Sequence, residues 1–300
     1  MSYSTHLKTY MSFCALMGYS PVPVLHSTVL RYVAYLSQKM APQSIRSYLN
    51  VIRLLHLESN LSNPLEHNFA LDTLLKGIKR DKGVCVKQAL PITPQLLIKM
   101  YQVIDLSSPF GSVFWSACLV GFFAFLRKSN LFYHTGQSHH LMTNNVLVTP
   151  TNQVYLQVMS TKTIQCKEKV LLLPLPPIPG HILCPVAALK HMWSFAQLPS
   201  EPIPLFSYHT PLGYKSVTYC TFLKHLRVVL EKVGVQANQF SGHSLRRGGA
   251  SYALSIGIPG EVIKILGDWK SDCYQRYLDT SIHTRFQSIS YMATCLPHNA

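Results

Sequence analysis

Apolar residues recur at helical spacing from the start of the chain to about residue 80. Tyr10, Phe13, Cys14 and Met17 form one stripe, ended by the proline-rich turn SPVPV. Val29, Tyr32, Val33 and Leu36 form a second, and Ile45, Leu49, Ile52 and Leu55 a third that also carries Arg46 and Arg53. Leu71, Leu74, Leu75 and Ile78 make a shorter fourth. A period near 3.6 with one apolar face each predicts four helices packed as a small bundle.

The most apolar run, Val113 to Leu126, is 14 residues long. It falls short of a bilayer span, so it predicts a buried core helix and no membrane partner. Beyond it the pattern changes to short β-branched or apolar runs, NNVLVT, QVYLQVM and KVLLLPL, separated by Pro, Thr, Asn and Lys clusters. These predict a small antiparallel sheet. Helical patterns return at 184–197, 215–233, 243–256, 259–267 and 270–279.

The expected fold is therefore mainly α with a small antiparallel β-sheet. A helical domain at 1–82 is followed by a basic linker at 83–92 and a mixed α/β domain with a C-terminal tail at 93–300. Around the boundary lie Lys76, Lys79, Arg80, Lys82 and Lys87, interrupted by glycine and followed by Pro91 and Pro94. Basic and poor in apolar residues, this stretch is expected to run along a phosphate backbone, although a plain solvated loop would read the same way.

Composition narrows the partner. Lys and Arg outnumber Asp and Glu by 27 to 12, giving a formal net charge of +15 and a pI near 9.5. Such an excess favours a polyanion, because neutralised phosphates release condensed counterions. A membrane surface or an acidic protein could use the same charge. At 48% hydrophobic and 13% charged, the chain is globular. Its eight cysteines show no CxxC pair and no metal-ligand spacing, as expected of reduced thiols in an intracellular protein. No secretory signal, GxxxxGK loop, EF-hand or internal repeat is evident, so neither nucleotide nor metal is called for.

Four places carry candidate chemistry. Arg127, in FFAFLRKSNL, ends the apolar run and could present a bidentate phosphate clamp from a rigid support. The plainer reading is a cation complementing a helix C-terminus. Lys162, in MSTKTIQCKEK, lies between two predicted strands and could protonate a leaving oxygen; Lys167 and Lys169 compete, and many hairpin lysines are only surface. His243 and Arg246, in HSLRRGG, are three residues apart and share a helix face, and the two glycines permit close approach of another backbone or of DNA. GDWKSDCYQRYL supplies Trp269 as a single N–H donor, with Tyr274 and Tyr277 as candidate nucleophiles. All three aromatics could equally be packing residues.

Each signal is modest alone, but their order is specific. Arg, a hairpin Lys, HxxR, Trp and a near-terminal Tyr resemble the catalytic series of the tyrosine recombinases, the phage-integrase-like family. The resemblance covers nearly the whole chain. FLRKSNL, HSLRRGGA and GDWKSDCYQRYL are most similar to the recombinases of eukaryotic Crypton and DIRS-like mobile elements.

The resemblance implies a core-binding, DNA-clamping domain at 1–82 and a catalytic domain beyond 93. It implies that Arg127 and Arg246 hold the scissile phosphate and that Lys162 is general acid for the leaving 5′ oxygen. His243 would assist proton transfer at the nucleophile, Trp269 would donate to the phosphate, and Tyr277 would attack phosphorus. A 3′-phosphotyrosine link would result, with no metal, ATP or other cofactor. Arg46, Arg53, Lys76, Lys79, Arg80 and Arg247 are the candidate contacts to double-stranded DNA. A homotetramer on DNA and a nuclear location are also implied, and the tail at 283–300 could pack on a neighbouring subunit or on its own domain.

Two positions depart from the family pattern. Asn130 stands where an acidic residue is frequent, three after the first Arg. Asp268 follows Leu266-Gly267 where many bacterial members have His, so Trp269 is preferred over Asp268 as phosphate neighbour, because a carboxylate there would repel the phosphate. Two other readings fit the sequence: a retired recombinase kept as a DNA-binding scaffold, and a type IB topoisomerase.

Overall fold

The computed structural model describes residues 2–83, 88–136, 139–159, 170–195, 201–277 and 289–290. The chain divides into two compact units, 1–87 and 88–300.

The first unit is a bundle of four helices, α1 (Ser2–Met17), α2 (His26–Lys39), α3 (Pro42–Glu58) and α4 (Phe69–Lys82). The apolar stripes become its core: Tyr10, Phe13, Val29, Tyr32, Val33, Leu36, Ile45, Leu49, Ile52 and Leu71 are buried together. Met17 is the exception and lies exposed. α4 starts where the Asn68 side chain accepts from the Leu71 N–H at 2.9 Å, and stops at Gly83 with φ 66°. Most of the basic stretch is therefore helix: Lys76, Lys79, Arg80 and Lys82 sit exposed on the last turns of α4.

The expected linker at 83–92 is divided. Residues 84–87 lie outside the described residues, whereas 88–92 belong to the second unit. There Leu90 N–H donates to Gln239 O at 2.8 Å, Ile92 N–H donates to Ser244 O at 3.0 Å, and Ile92 is fully buried.

The second unit is built around α6 (Pro109–Phe123), which is buried on all sides from Gly111 to Phe122. Ser108 caps it through the Gly111 N–H, and Pro109 stands at its first turn. α5 (Pro94–Tyr101) precedes it, and α8 (Pro185–Trp193) and α10 (Ser244–Ser255) pack against it. β1 (Val146–Val148), β2 (Val154–Val158) and β3 (Leu171–Leu175) form the expected antiparallel sheet in that order, with Leu156 opposite Val146 and Leu173. Val154, Leu156, Val158, Leu173 and Leu175 point into the core on alternate positions.

Three expectations need correcting. The helical pattern at 215–233 is a helix only from α9 (Tyr219–Lys232), because Gly213–Ser216 is strand β5 paired with β4 (Ser207–Thr210). This hairpin was not legible: its strands bury neither face fully, so no alternation marks them. Within the pattern at 270–279, the described residues form a short 3₁₀ helix, Asp272–Tyr277. Third, α6 ends at Phe123, not at Arg127. The chain turns through Phe125 with φ 46°, and Arg127 becomes the N-terminal flank of the short helix α7 (Lys128–Leu131). α11 (Gly260–Leu266) completes the fold, and no helix among the described residues is long and apolar enough to cross a membrane.

Candidate functional site

The site is assembled around Arg246, whose side chain is 2% exposed on α10. One end of its guanidinium donates to Phe125 O, and Nη2 donates to Gly267 O at 2.8 Å. Each acceptor lies at a backbone corner in the left-handed region: Phe125 itself at φ 46°, and the residue after Gly267, Asp268, at φ 50°. A bulky residue adopts such a conformation only where its surroundings hold it, at a cost of about 1–3 kcal/mol. A single planar fork therefore ties together two corners that are far apart in sequence.

Each corner delivers a candidate side chain. Two residues after Phe125 comes Arg127, half-buried, whose Nη2 donates to Asp268 O at 3.3 Å. Directly after Asp268 comes Trp269, whose ring centroid lies 3.8 Å from the Arg246 guanidinium carbon. Trp269 is itself buried in a small core with Phe125, Ala250, Ala253, Ile263 and Tyr274. Tyr274 is thus a packing neighbour of the indole, at 6.2 Å between centroids.

The glycines of HSLRRGG serve close approach of other backbone. A Cβ on Gly248 would lie 1.9 Å from Ile92 O, and one on Gly249 would lie 2.1 Å from Phe122 O. Gly267 is equally constrained, since a Cβ there would stand 1.7 Å from the Trp269 ring.

His243 flanks the start of α10 and is exposed. Desolvation against the protein, then the charges of Lys128, Arg246 and Arg127, hold its imidazole pKa below the ordinary histidine value. A neutral imidazole beside three cations can accept a proton. Arg127, Arg246, Asn130 and Asp268 line one cleft with Leu171 and Leu173 of β3. Asn130 is buried and donates to His139 O at 2.8 Å, so it braces α7 against the following loop.

Of the expected catalytic residues, the structure brings Arg127, His243, Arg246 and Trp269 together. Lys162 and its competitors Lys167 and Lys169 lie outside the described residues, in the segment between β2 and β3. Tyr277 is the last residue of the 3₁₀ helix, which packs on α10; only its backbone is described. The tail at 283–300 also lies outside the described residues, apart from 289–290.

The expected DNA contacts are spread over both units. Arg46 pairs with Asp72 at 3.1 Å on an exposed face, and Arg53 reaches Asn50 at 3.4 Å. Lys76, Lys79 and Arg80 are exposed on α4. Arg247 is partly committed to its own unit, donating to Gln88 Oε1 at 2.6 Å and to Ala89 O at 3.1 Å. Sequence reasoning missed Lys128 and Tyr219, whose ring centroid lies 4.3 Å from Lys128 Nζ. Adjacency to Arg127 was the one available signal for Lys128.

No protein-family model matches the chain. A curated protein, the integrase/recombinase xerD homolog of Selenomonas ruminantium, is 23% identical over 290 residues, covering 93% of this chain and 80% of that protein. Among solved structures, XerH site-specific recombinase bound to a palindromic difH substrate aligns with a TM-score of 0.65. The identity is 12%, and the alignment covers 98% of this chain and 78% of that one. A lambda integrase dimer bound to a core site aligns with a TM-score of 0.58 at 15% identity, covering 91% and 88%. Over nearly its whole length, the chain has the fold of these site-specific recombinases and integrases.

Proposed function

We propose that this chain is a tyrosine recombinase that cleaves and rejoins double-stranded DNA through a 3′-phosphotyrosine intermediate. The observation that carries this reading is that Arg127 and Arg246, from separate parts of the sequence, line one cleft, with Trp269 stacked on Arg246 and His243 within reach of both arginine charges. The similarity to an integrase/recombinase along 93% of the chain points the same way.

In this reading Arg127 and Arg246 hold the two non-bridging oxygens of the scissile phosphate. The Tyr277 hydroxyl attacks phosphorus, His243 takes up its proton, and the P–O5′ bond breaks. Lys162 gives a proton to the departing 5′ oxygen, and Trp269 donates to the phosphate. Bond energy is kept in the phosphotyrosine, so religation by the 5′ hydroxyl needs neither metal nor ATP. Rate enhancement comes from positioning and from charge stabilisation of the pentacovalent transition state.

The candidate contacts Arg46, Arg53, Lys76, Lys79, Arg80 and Arg247 supply duplex affinity that falls with salt. Strand exchange between two duplexes calls for four subunits assembled on DNA. The likeness of three motifs to Crypton and DIRS-like recombinases supports a nuclear location and a mobile-element origin.

The test is covalent trapping on nicked duplexes taken from the DNA flanking the gene. The wild-type chain is expected to become attached, and Tyr277→Phe is expected to abolish attachment. Site-specific binding with no adduct would favour a retired, scaffold-like recombinase. Relaxation of plasmids without a preferred site would favour a topoisomerase.

A further inference from the structure

Lys128 directly follows Arg127 and is exposed on the first turn of α7. Its Nζ stands 4.3 Å from the centroid of the Tyr219 ring. Tyr219 opens α9, and its hydroxyl accepts from the Gly242 N–H at 3.2 Å, one residue before His243. The same ring packs on Phe132 at 6.2 Å and occupies the space beside Gly242, where an added Cβ would lie 2.4 Å from it. One aromatic side chain therefore touches both the cation beside Arg127 and the turn that carries His243.

We propose that Lys128, seated on Tyr219, is a further cation of the phosphate site beside Arg127 and Arg246, and that Tyr219 is the positioning residue for it and for the His243 turn. This rests on the reading of the cleft as a phosphate site and extends it to two residues that motif order does not reach.

A lysine over a ring face is attracted by the ring quadrupole while its ammonium donors stay available. A freely solvated surface lysine has no such seat. The charged groups facing His243 are Lys128 and Arg127 from α7 and Arg246 from its own helix, and Asp268 lines the cleft beside the two arginines. Of the three cations, Lys128 acts most strongly on the imidazole. An anion bound among them relieves that field and draws a proton back to His243.

The experiment follows the His243 ring signal by NMR in the full chain during titration with inorganic phosphate. Phosphate is expected to move the signal and raise the pH midpoint of His243. Lys128→Gln should weaken phosphate binding about tenfold, the worth of one charge-assisted contact, and Lys128→Arg should restore most of it. Tyr219→Phe keeps the ring but loses the Gly242 acceptor, so it should shift the His243 midpoint while binding phosphate better than Lys128→Gln does. Phosphate binding left intact in Lys128→Gln would overturn the assignment alone. A wild-type chain whose His243 signal ignores phosphate would overturn the phosphate reading and this assignment with it.

Discussion

The guanidinium carbon of Arg246 lies 3.8 Å from the centroid of the Trp269 ring, with both residues buried. The indole thus supports the arginine from below whether or not its N–H reaches a phosphate. The two roles separate by substitution. Trp269→Ala removes both and should destabilise the chain by about 3–5 kcal/mol, read from urea unfolding. Trp269→Phe keeps an aromatic face under Arg246 and should cost clearly less stability. If the indole N–H serves the phosphate, adduct formation by Trp269→Phe still falls well below wild type; undiminished adduct would refute that role.

The two arginines should respond differently to replacement by lysine. Arg246→Lys cannot span Phe125 O and Gly267 O with one ammonium, and each buried carbonyl left unpaired costs about 1–3 kcal/mol. Arg127 is half-buried and makes a 3.3 Å contact to Asp268 O. Arg127→Lys should stay within about 1 kcal/mol of wild-type stability yet lose adduct formation, because a point charge does not replace a bidentate clamp. Equal loss of stability in both variants would contradict this placement.

His243 sets a pH dependence with a definite sign. Its folded pKa lies below the ordinary histidine value, so between the two the unfolded chain binds more protons. Stability therefore rises with pH across that window, is fully present above the ordinary value, and is lost as pH falls through the folded pKa. Denaturant midpoints measured across mildly acidic pH should show this dependence, and His243→Gln should flatten it. A His243→Gln chain with an unchanged pH profile would assign the dependence elsewhere.

Arg46 can be released without touching it. Its pairing with Asp72 is exposed on both sides, so Asp72→Asn should change stability by no more than about 1 kcal/mol. Freed from that carboxylate, Arg46 should bind duplex DNA more tightly, and the slope of log affinity against log salt should steepen by about 0.9 if one phosphate contact is gained. Unchanged affinity would remove Arg46 from the DNA-binding face.

Periodic features were legible in the sequence. The stripe of Val29, Tyr32, Val33 and Leu36 and the alternation of Val154, Leu156 and Val158 each declare a buried face, because burial acts on every residue of the pattern. The β4–β5 hairpin, half-exposed on both faces, left no such trace. At the candidate site, motif order singled out Arg127 and Arg246 but not the contacts that join them. Left-handed corners at Phe125 and Asp268 are not foreseen from residue type, since neither is glycine. The Asp268 corner caps the C-terminus of α11, where Trp269 N–H donates to Lys264 O and Asp268 N–H to Ile265 O, and at both corners the adjoining carbonyl accepts from the buried Arg246 guanidinium. Lys128 and Tyr219 were invisible for a related reason: their contact lies between residues 91 positions apart, and no spacing rule connects them.

The most direct test of the central claim is to locate the covalent bond. After trapping on a nicked duplex, the chain is digested and the peptide that carries the nucleotide is sequenced by mass spectrometry. The expected result is a phosphodiester on Tyr277, absent from Tyr277→Phe and retained in Tyr274→Phe. A nucleotide on Tyr274, or none on any tyrosine of a chain that still rejoins DNA, would contradict it.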